Sequence, residues 1–172
     1  GFQIFPAEIQ PCTCDNSWGE LKLECPASTT EEQLAEVFLA DFPMTNFTRL
    51  FIPEAYYLIT LDFDLNGVSF ETVQFGDTLD YNFDVAVQTI SDDFFIDSAQ
   101  TLKRFQMWES AILADGLPYF GYYEQLEEID VQDSRNLTEV KAIVSPSLRT
   151  IKMARGEITS IEAGKRVHDH VS

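Results

Sequence analysis

The chain has 172 residues, 45% of them hydrophobic, which is enough for one domain with a sizeable core. It carries 29 Asp and Glu residues against 11 Lys and Arg, a formal net charge of −18. Such a charge repels the phosphates of nucleic acids and anionic membrane surfaces. No apolar run approaches the ~18 residues of a membrane-spanning helix. These properties predict a chain that binds no nucleic acid and does not span a membrane.

All three cysteines lie near the start of the chain, as a Cys-x-Cys pair at Cys12 and Cys14 and then Cys25. Cys25 ends a strand-like segment, 21–25, in which apolar and charged residues alternate. These residues precede the repeats that begin at residue 47 and are described below. Because the first coil of a repeat protein has no preceding neighbour, its apolar end must be covered. Residues 1–46 are therefore predicted to form an N-terminal cap pinned by a disulfide. The alternative is three reduced cysteines in a core.

Residues 29–42 are predicted to form a helix that completes this cap. Thr29 and Glu32 have the spacing of a capping box. Four apolar residues recur with helical spacing and predict one buried face: Leu34, Val37, Phe38 and Phe42. Pro43 is expected to end the helix, because proline lacks the N–H that a helix requires.

From residue 47 onward, an apolar pattern recurs that fits the leucine-rich-repeat frame L-x-x-L-x-L-x-x-N/C-x-L. The copies start at 47, 70, 102, 126 and 148, so their spacings are 23, 32, 24 and 22 residues. Three of the four lie within the range of about 20–29 residues for this repeat. The sequence therefore predicts an α/β leucine-rich-repeat solenoid, with about five degenerate repeats over 47–164, a parallel sheet on the concave face, and a polar tail at 165–172. The alternative is an ordinary sheet with regularly spaced strands.

The ninth position of the frame departs from the usual asparagine, which ties one coil to the backbone of the next. It is occupied here by Ala55, Thr78, Ser110, Ser134 and Gly156. Hydroxyl groups can make part of the asparagine contacts, whereas alanine and glycine cannot. The repeats are therefore degenerate.

Two segments between strands have distinctive compositions. The 70–101 repeat is about eight residues longer than its neighbours, and its acidic, aromatic segment 76–84 is expected to bulge as a loop. Asp62–Gly67 matches the start of an EF-hand calcium loop, but the ligating twelfth position is Val73, which cannot bind calcium. This segment is instead predicted to be a turn between repeats.

No sequence motif for catalysis is present. The chain contains no G-x-S-x-G, H-E-x-x-H, P-loop or G-x-G-x-x-G pattern. Its two histidines, His168 and His170, lie in the polar tail, where they are not expected to bind a metal. The sequence predicts a non-enzymatic chain with no cofactor and no metal site.

The cap residues resemble those of arthropod secreted leucine-rich-repeat proteins, the family that includes the non-catalytic subunit of shrimp luciferin monooxygenase. The similar residues are Pro11-Cys12-Thr13-Cys14, Cys25, Glu32-Gln33-Leu34-Ala35 with Phe38, and Asn46-Phe47 with Arg49-Leu50. The resemblance covers about the first 60 residues in detail and the remainder through the shared repeat. It implies a binding or stabilising role beside a protein partner, without chemistry of its own.

The same resemblance implies a disulfide pairing. In the caps of this family, the two cysteines of the Cys-x-Cys pair bridge in opposite directions. That arrangement implies a Cys12–Cys25 bond and leaves Cys14 unpaired within this chain. Such caps usually carry a fourth cysteine upstream, and residues 1–11 contain none.

Two sequons favour an extracellular protein. Asn46 and Asn136 each begin an N-x-[ST] sequence without proline and are candidate glycosylation sites. Together with the Cys-x-Cys cap, they predict a secreted glycoprotein.

The concave face of the sheet is the predicted binding surface for a protein partner. In the repeat frame, the third, fifth, seventh and eighth positions project onto it. The candidate binding residues are Phe51, Gln74, Arg104, Gln106, Trp108, Asp130, Gln132, Lys152 and Arg155. Trp108 is expected at the centre, because exposed aromatic residues ringed by polar groups dominate interfaces. The alternative is that Trp108 packs inward beside Met107.

A second function is compatible with the same composition. An acidic structural or matrix protein would use its surface carboxylates to bind calcium weakly. It would aggregate with calcium in a salt-sensitive way, whereas a binding module would have one saturable protein partner.

The last repeat is followed by no cysteine-bearing cap. An uncapped coil would present an unpaired strand edge and an apolar end. We therefore expect either self-association through the C-terminal end or a longer natural chain that continues the solenoid.

Overall fold

The structure is a computed structural model that describes residues 8–77, 85–137, 139–140, 145–153 and 160–161. The strands are β1 (Thr13–Asp15), β2 (Lys22–Glu24), β3 (Asn46–Ile52), β4 (Thr60–Leu61), β5 (Ser69–Phe75), β6 (Thr89–Ile90), β7 (Arg104–Met107), β8 (Glu128–Asp130), β9 (Glu139–Val140), β10 (Thr150–Lys152) and β11 (Ser160–Ile161). The helix α1 spans Glu31–Val37, and short 3₁₀-helices span Ser17–Gly19, Ile96–Ser98 and Phe120–Tyr122.

Seven strands form one sheet in the order β1-β2-β3-β5-β7-β8-β10. The hairpin β1–β2 is antiparallel, and every later neighbour in the sheet is parallel. Two further parallel pairs, β4–β6 and β9–β11, lie elsewhere on the coils. Parallel neighbours in chain order, with one connection between each pair, make a solenoid of about five turns. The predicted leucine-rich-repeat fold class is confirmed.

The first, fourth and sixth positions of the five repeats are apolar and form the core of the sheet. All of them are buried, except that Met153 is partly buried: Phe47, Leu50, Ile52, Phe70, Val73, Phe75, Leu102, Phe105, Met107, Leu126, Ile129, Val131, Leu148, Ile151 and Met153. Each fully buried side chain of this kind contributes about 1.5–3 kcal/mol before the entropy of folding is subtracted. The frame predicted from the sequence thus identifies the inward face of β3, β5, β7, β8 and β10, the strands of the seven-stranded sheet that follow the cap.

Aromatic rings make a continuous series of contacts through this core. Successive ring centroids lie 4.7–6.5 Å apart along the series Phe42, Phe47, Phe70, Phe38, Phe63, Phe94, Phe95, Phe105, Phe120 and Tyr123. Edge-to-face and tilted pairs at such distances add to the stabilisation from area burial alone. The series joins the cap helix to the 3₁₀-helix of a later coil.

The cap is a hairpin closed by a disulfide. Cys12 precedes β1 and Cys25 follows β2, and the two are bonded across 13 residues. This is the pairing that the family resemblance implies, and Cys14 in β1 has a free thiol. Closing a loop of this length stabilises the fold by about 3 kcal/mol, because it restricts the unfolded chain. Leu23 of β2 pairs with Leu50 of β3, so the cap strand covers the first coil as predicted.

The helix α1 begins one residue later than expected. Its N-cap is Thr30, whose hydroxyl accepts a hydrogen bond from the Gln33 backbone N–H at 3.2 Å. The Gln33 side chain accepts one in return from the Thr30 N–H at 3.0 Å. The predicted capping box of Thr29 and Glu32 is therefore wrong by one position. The Thr29 hydroxyl instead donates to the Pro26 carbonyl at 2.7 Å, which fixes the turn before the helix.

The helix also ends at Val37, well before Pro43. Past Val37, the backbone forms tight turns, in which the Leu39 and Ala40 N–H groups donate to carbonyls three residues earlier. The Asn66 side-chain amide of the next coil donates to the Phe38 carbonyl at 2.9 Å. A contact between coils, rather than the proline, therefore accompanies the end of the helix. The predicted extent of 29–42 is too long at its C-terminal end.

The ninth frame position is held by hydroxyls in two coils. The Ser110 and Ser134 hydroxyl oxygens lie 2.7 Å apart, and both residues are buried. Val85 pairs with Ser110, so Val85 fills the position that counting along the sequence gave to Thr78. The extra residues of the long repeat therefore precede its ninth frame position in the sequence and do not follow it. Thr78, most of the predicted loop 76–84, and Gly156 lie outside the described residues.

Asp62–Gly67 is a turn between β4 and β5, as predicted. Asn66 and Gly67 have φ angles of 51° and 83°, a left-handed geometry that favours these residues. The Asp64 carboxylate accepts the Asn66 N–H at 2.7 Å, and the Asp97 carboxylate of a later coil accepts the Gly67 N–H at 2.9 Å. These carboxylates hold the turn and tie it to the neighbouring coil.

The buried serine pair gives a test of how the degenerate repeats are joined. We expect Ser110→Ala and Ser134→Ala each to lower the free energy of unfolding by about 1–2 kcal/mol, because each leaves one buried hydroxyl without its partner. The double variant should lose less than the sum of the two, since it leaves no hydroxyl unpaired. Urea unfolding of the three variants measures this. Additive losses would contradict the direct hydroxyl–hydroxyl bond.

The free thiol gives a second test. Burial raises the pKa of Cys14 from 9.0 to about 11. The thiolate is the reactive form, so alkylation at neutral pH should be about 100-fold slower in the native protein than in the unfolded protein. Mass spectrometry of the labelled peptides measures both rates, with Cys14→Ser as the unlabelled control. Fast native labelling, or a Cys14–Cys25 peptide under non-reducing conditions, would contradict this assignment.

Candidate functional site

The face of the seven-stranded sheet that points away from the core is here named the open face. Strand register aligns two rows of side chains on it. The first row is Lys22, Arg49, Thr72, Arg104, Glu128 and Thr150. The second row is Glu24, Phe51, Gln74, Gln106, Asp130 and Lys152. The residue between the two rows on each strand points to the opposite face, into the core. These buried residues are Leu23, Leu50, Val73, Phe105, Ile129 and Ile151.

Six candidate binding residues stand in these rows: Phe51, Gln74, Arg104, Gln106, Asp130 and Lys152. Trp108 and Gln132 follow β7 and β8 at the same end of the sheet. Arg155 lies outside the described residues. The geometry therefore brings these residues together on one surface, while their role in binding remains a prediction.

The open face differs in charge from the rest of the chain. Its two rows hold four basic residues, Lys22, Arg49, Arg104 and Lys152, of the 11 in the chain. They hold only three of the 29 acidic residues, Glu24, Glu128 and Asp130. Four minus three gives the rows a net charge of +1, in a chain whose net charge is −18. Basic residues therefore occupy four of the twelve row positions, a higher share than in the rest of the chain, and offset the three acids of the rows.

The side of the open face nearest the cap is braced by Arg49 and Gln74. The Arg49 Nη1 donates to the Gln74 side-chain oxygen at 3.1 Å, and its Nη2 lies 4.0 Å from a Glu20 carboxylate oxygen. The Gln74 amide then donates to the Gly76 carbonyl at 3.2 Å, and Gln74 is only 8% exposed. Gln74 thus positions Arg49 and the end of β5 rather than offering free surface.

Phe51 is half-buried at the edge of this network. The Lys22 Nζ lies 5.6 Å from the centre of its ring and 3.0 Å from a Glu24 carboxylate oxygen. A cation above an aromatic face is attracted to the ring electrons. Part of the Phe51 ring is therefore already occupied by the cap strand.

At the other end of the sheet, the acidic residues have partners of their own. The Lys152 Nζ lies 3.2 Å from a Glu128 carboxylate oxygen. Gln132 donates to both carboxylate oxygens of Asp130, at 2.8 and 3.0 Å. Asp130 is only 2% exposed. Asp130 therefore fixes the orientation of the Gln132 side chain, and Gln132 is the more accessible of the two.

The central strand β7 presents Arg104, Gln106 and Trp108 in succession. Arg104 is exposed and forms no ion pair within the described part of the chain. Trp108 is half-buried, and its covered indole N–H has no hydrogen-bond partner among the residues that the structure describes. Met107, its neighbour, is completely buried. Trp108 is thus neither a core residue like Met107 nor a freely exposed one.

A glycine lies beside Trp108. A Cβ atom on Gly76 would lie 3.2 Å from the Trp108 carbonyl oxygen and 3.5 Å from its Cβ, and Gly76 has a φ of 93°. Glycine adopts this left-handed backbone without strain. The end of β5 can therefore approach the Trp108 backbone closely.

The sequence analysis did not predict two features of the cap end of the sheet. Trp18 is fully exposed, at 100%, in the connection between β1 and β2, with a φ of 62°. Lys22 and Glu24 continue the rows of the open face into the cap. The alternation of Leu21, Leu23 and Cys25 with these charges is the signal that could have assigned them to the repeat frame. No pattern in the sequence distinguishes Trp18 from a buried tryptophan.

Both predicted glycosylation residues are exposed. Asn46, at the start of β3, accepts the Ser69 hydroxyl through its side-chain oxygen at 2.6 Å. The Asn136 side-chain nitrogen, the atom that would carry a glycan, donates to the Ala111 carbonyl at 3.3 Å. Within the described part of the chain, the Asn46 side-chain nitrogen donates no hydrogen bond, whereas the Asn136 nitrogen would have to break one to carry a glycan. Thr138 lies outside the described residues.

Within the described ranges, no three His, Cys, Asp or Glu side chains gather as metal ligands do. Among the same residues, no helix has both the length and the apolar composition needed to cross a membrane.

The chain is similar to one curated protein named as a subunit. It is 24% identical over 156 residues to the Oplophorus-luciferin 2-monooxygenase non-catalytic subunit of Oplophorus gracilirostris, and the match covers 90% of this chain. It covers 42% of that protein, so the chain spans less than half of the relative's length. No protein-family profile matches the chain, and no solved structure matches it. The similarity confirms the resemblance noted from the cap residues.

Proposed function

We propose that this chain is a secreted, non-enzymatic leucine-rich-repeat module that binds a protein partner through the open face of its sheet. In this proposal it acts as a non-catalytic or stabilising subunit of a complex. The observation that carries the proposal is the charge of the open face. Two rows with a net charge of +1, next to half-buried aromatic residues, stand out in a chain of net charge −18.

The arrangement of the open face suits binding. Its side chains stand on hydrogen-bonded strands, so little backbone entropy is lost when a partner docks. Phe51 and Trp108 provide apolar contact area, and aromatic residues of this kind commonly carry most of the energy of an interface. Gln106 and Gln132 provide polar groups beside them.

The relative supports the subunit role. A protein named as a non-catalytic subunit is part of a larger assembly, and it is similar to this chain over most of the chain's length. Because the chain matches only part of that protein, the assembly and its chemistry are not transferred here. What is proposed is a supporting role beside another protein.

The cap and the sequons support secretion. A structural disulfide such as Cys12–Cys25 persists in oxidising compartments and is rare in reducing ones. Asn46 and Asn136 are exposed, as glycan acceptors must be. We therefore propose an extracellular location.

The structural or matrix alternative has less support. Asp64 and Asp97, which lie at the calcium-loop-like segment, already accept backbone N–H groups. Their oxygens hold a turn, and a calcium ion would compete with these bonds. The contacts of Asp64 and Asp97 thus disfavour a calcium site at this turn.

Trp108 gives the test of the proposed surface. We expect Trp108→Ala to weaken binding of the partner at least tenfold, because truncating an interface aromatic costs about 2 kcal/mol or more. The matched control is Trp18→Ala, which removes a fully exposed tryptophan from the hairpin connection. The partner is captured from the extracellular fluid of the source, and surface plasmon resonance then measures each variant.

Thermal unfolding of both variants accompanies the binding measurement. Trp108 is half-buried, so its variant should stay folded with a moderately lower melting temperature. Equal affinity for wild type and Trp108→Ala would reject the open face as the binding surface. If the Trp108→Ala variant does not fold, the binding measurement is repeated with Trp108→Phe, which keeps an aromatic ring in the same packing.

Self-association is a second expected interaction. In the described part of the chain, β10 pairs with β8 and is the last strand of the seven-stranded sheet. We propose that this end of the sheet pairs with a second copy at high protein concentration. Sedimentation equilibrium across a concentration series measures this, and a strictly monomeric protein would contradict it.

A further inference from the structure

Arg104 is surrounded on the open face by groups that already have partners. Its register neighbour Glu128 pairs with Lys152 at 3.2 Å. Asp130, on the same strand as Glu128, is held by Gln132. Thr72, its neighbour on the other side, carries no charge. Among the described residues of this face, the exposed guanidinium forms no ion pair with either carboxylate.

We propose that the open face binds an extended peptide segment of the partner, in which one carboxylate side chain pairs with Arg104 and one apolar side chain packs on Trp108. This inference rests on the proposed function and adds the chemistry of the ligand. A planar guanidinium donates two parallel hydrogen bonds to a carboxylate, which makes this pair stronger and more directional than a lysine pair.

The spacing on β7 sets the length of the segment. Arg104 and Trp108 are four residues apart, and at a rise of about 3.3 Å per residue this separation is about 13 Å. An extended ligand crosses the same distance in four residues, so its acidic and apolar residues stand at positions i and i+4. Both side chains then point to the same side of the ligand, because strand side chains alternate. Gln106, midway between, faces the backbone of the segment.

The overall negative charge does not prevent this contact. At physiological ionic strength, charges separated by more than about 8 Å are largely screened. A carboxylate at Arg104 therefore responds mainly to groups on β7 and its two neighbouring strands, where Glu128 pairs with Lys152 and Asp130 is bound by Gln132. A uniformly acidic ligand would place further carboxylates close to the other acidic residues of the chain, so the segment carries one acidic residue and, four residues away, one apolar residue.

The test uses synthetic peptides with the full chain. The peptides are extended Gly/Ser sequences that carry Glu, Gln or Lys at one position and Phe or Ala four residues away, in both orders. All have acetylated N-termini and amidated C-termini, so the Glu side chain is the only carboxylate. Isothermal titration calorimetry measures their affinities. We expect the Glu/Phe peptide to bind at least tenfold tighter than the Gln/Phe, Lys/Phe and Glu/Ala peptides.

Charge-changed variants assign the preference to Arg104. Arg104→Glu should reverse it, so that the Lys/Phe peptide binds at least tenfold tighter than the Glu/Phe peptide. Arg104→Gln should remove the preference without reversing it. The matched control is Arg135→Glu, which makes the same charge change at an exposed turn residue away from the rows. This control should keep the wild-type preference.

The outcomes separate this inference from the proposed function. Wild-type protein that binds no peptide at millimolar concentration, or that binds Gln and Glu peptides equally, overturns the inference. A Glu preference that survives in Arg104→Glu also overturns it. If the captured partner is sensitive to Trp108→Ala while Arg104→Glu binds it normally, the open face stands and only the ligand chemistry fails. If neither variant affects the partner, the proposed function fails as well.

Discussion

The parallel register between successive strands is the constraint on which the rest of this structure depends. A single coil cannot bury its apolar side, because that side is covered only by the coils next to it. In-register pairing places Leu50 beside Val73 and Val73 beside Phe105, so each coil closes the core of its neighbour. The first coil has no earlier neighbour in the repeat series, and the disulfide-closed hairpin supplies one by continuing the register through Leu23.

The same register determines the surface. Because it aligns inward positions, it also aligns the outward ones, and the polar side chains of successive coils stand next to each other. Neighbouring positions then form pairs such as Lys152 with Glu128 and Arg49 with Gln74. A binding surface on such a sheet consists of rows of residues from different coils, and its chemistry depends on which members of a row already satisfy one another. Arg104 stands out because its neighbours are already paired.

Packing and hydroxyl contacts replace the missing asparagines. Ala55 is completely covered and Val85 is fully buried in the same part of the coil, so two repeats fill the ninth position with apolar volume. Ser110 and Ser134 bond to each other there. The chain contains 14 phenylalanines, many of which join in the continuous series of ring contacts. Aromatic packing between coils therefore supports repeats whose polar connections are sparse.

The sequence by itself determined the repeat frame and the inward face of the strands that the frame covers. Apolar periodicity is a local property, and it recurs in every coil. The disulfide partners followed from resemblance rather than from the pattern itself. Only the tertiary structure decided where α1 ends, which residue takes the ninth position of the long repeat, and how far Trp108 is buried. Each is accompanied by a close approach of residues distant in the chain: Asn66 to Phe38, Val85 to Ser110, and Gly76 to the Trp108 backbone. Such contacts are formed when coils stack, and they leave no periodic signal along the chain.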